Sequence, residues 1–174
     1  TIPVFDVLPQ DSTVQCNGAG NVGELDAWLA ANAGLVASDL CSDIESIEYD
    51  LVSEIDLCGG VTGNGVYRFT ITDNCGNVNS AEATWVVVDT LPPVITGGED
   101  MEMEECENPP AGNYPEFDFW LTNNAGAVAE DDCQEFSWSN DFEPDNWEFL
   151  CGNTKFVDVW FFATDDCENV DSVM

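Results

Sequence analysis

The chain has 174 residues, with 35 acidic against 2 basic side chains, no histidine and a formal charge of −33. That charge repels phosphate backbones and anionic lipid surfaces, which argues against nucleic-acid and membrane-surface partners. Ten Phe, six Trp and 44% apolar residues are too many for an acidic disordered chain, so a buried core is expected.

Residues 12–16 read as a first strand. Over residues 23–33, Leu25, Trp28 and Leu29 fall at i, i+3 and i+4, and Gly34 follows as a stop, which predicts a short helix. Ile47, Tyr49 and Leu51 alternate, as do Tyr67, Phe69 and Ile71, and residues 81–88 form a closing strand. Residues 89–94 contain two consecutive prolines, Pro92 and Pro93, which favour an extended joint. The pattern then starts again. Phe117, Trp120 and Leu121 repeat the helical stripe, and Phe136 with Trp138, then Val159, Phe161 and Ala163, repeat the alternating strands.

Cysteines, turns and small residues recur with the same spacing. Cys16, Cys41, Cys58 and Cys75 correspond to Cys106, Cys133, Cys151 and Cys167. Asn32-Ala33-Gly34 corresponds to Asn124-Ala125-Gly126, and Thr72-Asp73-Asn74-Cys75 to Thr164-Asp165-Asp166-Cys167. The chain therefore reads as all-β, with two tandem β-sandwich domains at 1–90 and 91–174, each with one short helix and two disulfides. The second copy has no counterpart of the strand at residues 83–89, so the chain is expected to continue as one window of a longer array.

Eight cysteines in even groups predict disulfides and an oxidising compartment. If each segment between consecutive cysteines crosses the sandwich once, partners share an end only in a first-with-third, second-with-fourth pattern. That predicts Cys16–Cys58, Cys41–Cys75, Cys106–Cys151 and Cys133–Cys167. A hairpin between Cys41 and Cys58 would reverse the parity. Redox chemistry is the other use for such thiols, but it needs a thiolate beside positive charge.

Without histidine, neither Ser-His-Asp nor Cys-His catalysis can be assembled, and no C-x-x-C pair suggests zinc. A carboxylate-pair glycosidase is the remaining enzymatic alternative, and no enzyme is expected. The acidic residues are densest at Glu99, Asp100, Glu102, Glu104 and Glu105. Two readings stand side by side: a solvated surface, or calcium held by loop oxygens. Candidate ligands are Asp73 with Asn77, Asp165 and Asp166 with Asn169, and Asp89 at the joint, with no EF-hand spacing among them.

Three stretches carry a family resemblance: residues 24–32, residues 69–77 (Phe-Thr-Ile-Thr-Asp-Asn-Cys-Gly-Asn) and residues 85–94 (Trp-Val-Val-Val-Asp-Thr-Leu-Pro-Pro-Val). They resemble the tandem immunoglobulin-like repeats of giant Bacteroidota surface adhesins, including flavobacterial gliding-motility adhesins of the SprB kind. The second copy departs by carrying Glu168 where the first has the turn glycine, Gly76. The resemblance implies immunoglobulin-like domains, type IX export and a place on the outside of the bacterial cell. It implies a stalk segment, a rigid spacer for adhesion or gliding. The partners would be neighbouring repeats, surface glycans or other filament proteins, without membrane insertion. It also makes Ser12, Thr90 and Ser172 candidate O-glycosylation sites, each preceded by Asp. The alternative is a calcium- or carbohydrate-binding extracellular module. No cofactor is expected beyond that possible Ca²⁺.

Overall fold

In β5 (Gly65–Asp73) every second residue is buried, from Gly65 through Tyr67, Phe69 and Ile71 to Asp73. Alternate side chains of an extended strand project to opposite faces, so one face of the sheet here is core. This computed structural model describes residues 1–55, 57, 63–102, 115–133, 135–150 and 154–174. The chain divides into two units, Thr1–Thr90 and Leu91–Met174.

The first unit contains β1 (Val4–Val7), β2 (Ser12–Gln15), α1 (Val22–Ala30), β3 (Val36–Ser38), β4 (Ile44–Glu54), β5 and β6 (Val78–Val88). Its main sheet has the order β2-β6-β5-β4, and β1 pairs with β3 in a separate ribbon. β4, β5 and β6 are antiparallel neighbours. β2 instead runs parallel to β6, with Ser12 opposite Trp85 and Gln15 opposite Val88.

Helix α1 lies on the buried face. Its Trp28 ring sits 5.6 Å from Tyr67, 5.6 Å from Phe69 and 5.5 Å from Trp85. The Trp28 indole N–H donates to the Gln10 carbonyl at 3.0 Å, which satisfies the ring's polar atom at the edge of the core. The helix stops at Ala30, and Asn32, Ala33 and Gly34 then take φ values of 52°, 52° and 72°. Left-handed backbone cannot continue a right-handed helix, so the expected stop at Gly34 begins two residues earlier.

The alternation of Ile47, Tyr49 and Leu51 does mark a strand, β4, but its side chains remain accessible: Tyr49 is 50% and Leu51 41% exposed. β4 is the edge of its sheet, and Glu45, Glu48, Asp50 and Glu54 along it oppose further strand pairing.

The second unit contains β7 (Val94–Thr96), α2 (Pro115–Thr122), β8 (Val128–Glu130), β9 (Phe136–Asn140), β10 (Glu148–Phe149), β11 (Lys155–Phe156), β12 (Phe161–Asp165) and β13 (Val170–Val173). Its largest described sheet has the order β13-β12-β9, beside the β7-β8 and β10-β11 ribbons. Ala125, Val159 and Phe161 form its core, with Trp120, Leu121, Trp138 and Phe142 packed against them. Asn124, Ala125 and Gly126 repeat the left-handed turn at 51°, 55° and 78°. Glu168 takes φ 67° where Gly76 takes 79°, so the turn survives the loss of its glycine at some steric cost.

Over the described residues the chain is thus a β-rich fold in several small sheets with two α-helices. In the first unit it is α1 that packs the Trp28 ring on the main sheet's buried face.

Candidate functional site

Asp followed two residues later by Cys occurs five times in the sequence, and four of these segments lie among the described residues: Asp39–Cys41, Asp73–Cys75, Asp131–Cys133 and Asp165–Cys167. In each, an Asp Oδ1 accepts the backbone N–H of the cysteine at 2.8 Å. A short acidic side chain bonded to backbone two residues ahead builds a turn, which is why Asp serves there. Of these aspartates, the sequence analysis offers Asp73 and Asp165 as calcium candidates. The recurrence of Asp-x-Cys is the signal that identifies them all as turn builders.

The two calcium candidates at strand ends are the most elaborate of these turns. Asp73 Oδ1 also accepts the Asn77 N–H at 2.8 Å, and its Oδ2 accepts the Asn77 side-chain amide at 2.8 Å. Asp165 and Asn169 reproduce both bonds at 2.8 Å. Asp73 and Asp165 are buried, while Asp166 is exposed. In the structure, therefore, Asp73, Asn77, Asp165 and Asn169 hold the β5–β6 and β12–β13 hairpins closed. Asp89 is buried and accepts from the Gln15 side-chain amide at 3.1 Å.

Such bonds set the acidity of Asp73 and Asp39. The Asn77 side chain, helped by the N–H groups of Asn77 and Cys75, holds Asp73 below its ordinary value against the opposing effect of burial. Asp39 is likewise lowered, first by the Thr1 hydroxyl and then by the Cys41 N–H. A carboxylate depressed in the folded state contributes stability above its unfolded pKa, about 3.9. That contribution is lost as pH falls through the lower folded value. The stability difference between the natural chain and Asp73→Asn is therefore expected to be constant above about pH 5 and to narrow below about pH 4. Guanidinium denaturation across that range measures it, and comparing the two chains cancels the general relief of charge repulsion at low pH.

The cysteines divide into two sets. Cys16, Cys133 and Cys167 are disulfide-bonded. Cys58, Cys106 and Cys151 lie outside the described residues. The expected Cys41–Cys75 bridge is not formed: both thiols are free and exposed. The parity premise places the two correctly, since β4 crosses the unit once and the Asn74 N–H donates to the Asp43 carbonyl at 3.1 Å. Sharing an end is not sufficient, because a bridge also needs converging Cβ vectors. Each of these cysteines has its backbone set by its own aspartate turn. A maleimide applied to the unreduced native chain should label Cys41 and Cys75 and spare Cys16, Cys133 and Cys167. Peptide mapping checks this.

The glycosylation candidates differ in access. Ser12 lies in β2 and is partly buried, whereas Ser172 lies in β13 and is exposed. Thr90 is exposed, and its hydroxyl donates to the Gln15 side-chain carbonyl at 2.8 Å. In the acidic run, Glu99, Asp100 and Glu102 line an open groove beside Phe119 and Trp120, whereas Glu104 and Glu105 lie outside the described residues. No described helix is long and apolar enough to cross a membrane. Comparison with known protein families and with curated proteins finds no match.

Proposed function

We propose that the chain is a stalk segment of a long, secreted cell-surface adhesin filament, with immunoglobulin-like units serving as rigid spacers. The observation that carries this reading is the parallel pairing of β2 with β6. β2 lies near the start of the first unit and β6 at its end. A pull on the two ends draws these parallel strands in opposite directions along their length. The hydrogen bonds between Ser12–Gln15 and the facing strand are then loaded together in shear, not one at a time as in peeling. The bond from the Cys16 N–H to the Val88 carbonyl, at 2.8 Å, extends the same patch.

Three further features support it. The oxidised state of Cys16, Cys133 and Cys167 suits an extracellular compartment. Recurrence of the Asp-x-Cys turns, the left-handed Asn-Ala-Gly turn and the Trp-bearing helix suits repetition of one spacer unit. A charge of −33 keeps neighbouring fibres apart in solution. Type IX export and glycosylation at the exposed Thr90 and Ser172 belong to the same reading.

Immunogold microscopy of intact cells that produce the chain tests it. Label outside the cell boundary is expected, and label found only after lysis overturns the proposal. Calorimetric titration with calcium separates a spacer from a calcium-binding module. A spacer gathers calcium as diffuse counter-ions, whereas a module shows saturable, stoichiometric uptake and a rise in melting temperature.

A further inference from the structure

β4 is the outer strand of the first unit's main sheet, and alternation along it separates two chemistries. Ile47, Tyr49 and Leu51 stand opposite Ile71, Phe69 and Tyr67, so they share the sheet's core face. Trp28 of α1 covers that face over β5 and β6, but at β4 Tyr49 and Leu51 stay exposed. Glu48 and Asp50 alternate with them on the opposite face and are exposed too.

The backbone divides in the same way. The Asp73 N–H donates to Asn77 on the β6 side, and the Asn74 N–H to Asp43 on the β4 side. Peptide groups alternate in direction along a strand, so Thr72, Thr70 and Arg68 turn theirs toward β4. There they meet Ser46, Glu48 and Asp50. The N–H and C=O groups of Ile47, Tyr49 and Leu51 therefore point away from the sheet. Among the described residues nothing hydrogen-bonds to them.

Charge decides what can add to this edge. Arg68 is the one basic residue in positions 1–90. It stands opposite Asp50 in the ladder, yet its guanidinium donates to Glu82 on β6, at 2.9 and 3.2 Å. Glu45, Glu48, Asp50 and Glu54 thus leave the edge negative. A second copy would bring the same acids against them, and like charges on adjacent strands repel. The acids that turn away a strand of this chain attract one of opposite charge.

We propose that β4 over Ile44–Leu51 is a docking edge for an extended basic segment of another protein, in which Lys or Arg alternates with apolar residues. The segment adds a fifth strand beside β4 and hydrogen-bonds to the outward groups of Ile47, Tyr49 and Leu51. Its apolar side chains extend the core face over Tyr49 and Leu51, and its cations lie beside Glu48 and Asp50. The inference does not depend on the chain being a spacer.

The test uses the full chain and an acetylated, amidated peptide of eight residues, alternately Lys and Val. Calorimetry should show saturable one-to-one binding, weakened at least about tenfold by Glu48→Lys with Asp50→Lys. Asp6→Lys with Asp26→Lys makes the same charge change at exposed positions elsewhere on the first unit and should leave binding within about twofold. Hydrogen exchange on the complex should slow at the Ile47, Tyr49 and Leu51 amides. Absence of saturable binding, equal weakening by both double variants, or slowed exchange only outside β4 would overturn the proposal. So would sedimentation showing that the chain alone forms dimers whose exchange is slowed at those three amides.

Discussion

Phe69→Ala is expected to destabilise the first unit by about 3–5 kcal/mol, the largest effect of any single substitution considered. Phe69 is fully buried at the centre of β5 and touches two rings, Trp28 at 5.6 Å and Tyr49 at 6.2 Å. Truncation removes a whole ring from water-free packing and leaves a cavity that neither neighbour can readily close. Trp28 is tethered by its bond to Gln10, and Tyr49 belongs to an edge strand held in register with Phe69 itself. The second unit has its own core around Phe161 and should keep its transition. Guanidinium denaturation followed by hydrogen exchange resolves the two units. A loss spread equally over both would show that their cores are coupled.

Asp165→Ala is expected to destabilise the second unit by about 2–3 kcal/mol. One carboxylate at 5% exposure satisfies the N–H groups of Cys167 and Asn169 and the Asn169 side chain. Alanine leaves these donors without their acceptor in a place water reaches poorly. Asp165→Asn keeps one acceptor oxygen and should recover part of the loss. Asp166→Ala, at the exposed next position, should leave stability unchanged within measurement. Thermal melts of the three variants distinguish a turn-building aspartate from one that merely adds charge.

These two residues mark what was legible in the sequence. Phe69 was read as core because Tyr67, Phe69 and Ile71 alternate, and alternation reports strand geometry directly. The same pattern at Tyr49 and Leu51 marks the strand but not its exposure, because periodicity says that two faces exist and not whether anything covers them. At Asp165 the sequence leaves a solvated surface and a calcium ligand side by side, since an acidic loop is equally suited to bind a cation or its own backbone. The geometry that decides is a set of 2.8 Å bonds to residues two and four positions ahead. The Cys41–Cys75 pairing shows a different limit: counting strands predicts which end a cysteine occupies, but not the direction of its side chain.

The spacer reading rests on the first unit resisting an end-to-end pull through β2 and β6, and stretching single tethered chains measures this directly. A distinct unfolding peak is expected for the first unit. Val14→Pro, which places a residue without an N–H in the middle of β2, should lower that peak sharply while the unit still folds. A chain that extends without a peak, or a peak that Val14→Pro leaves unchanged, would contradict the account.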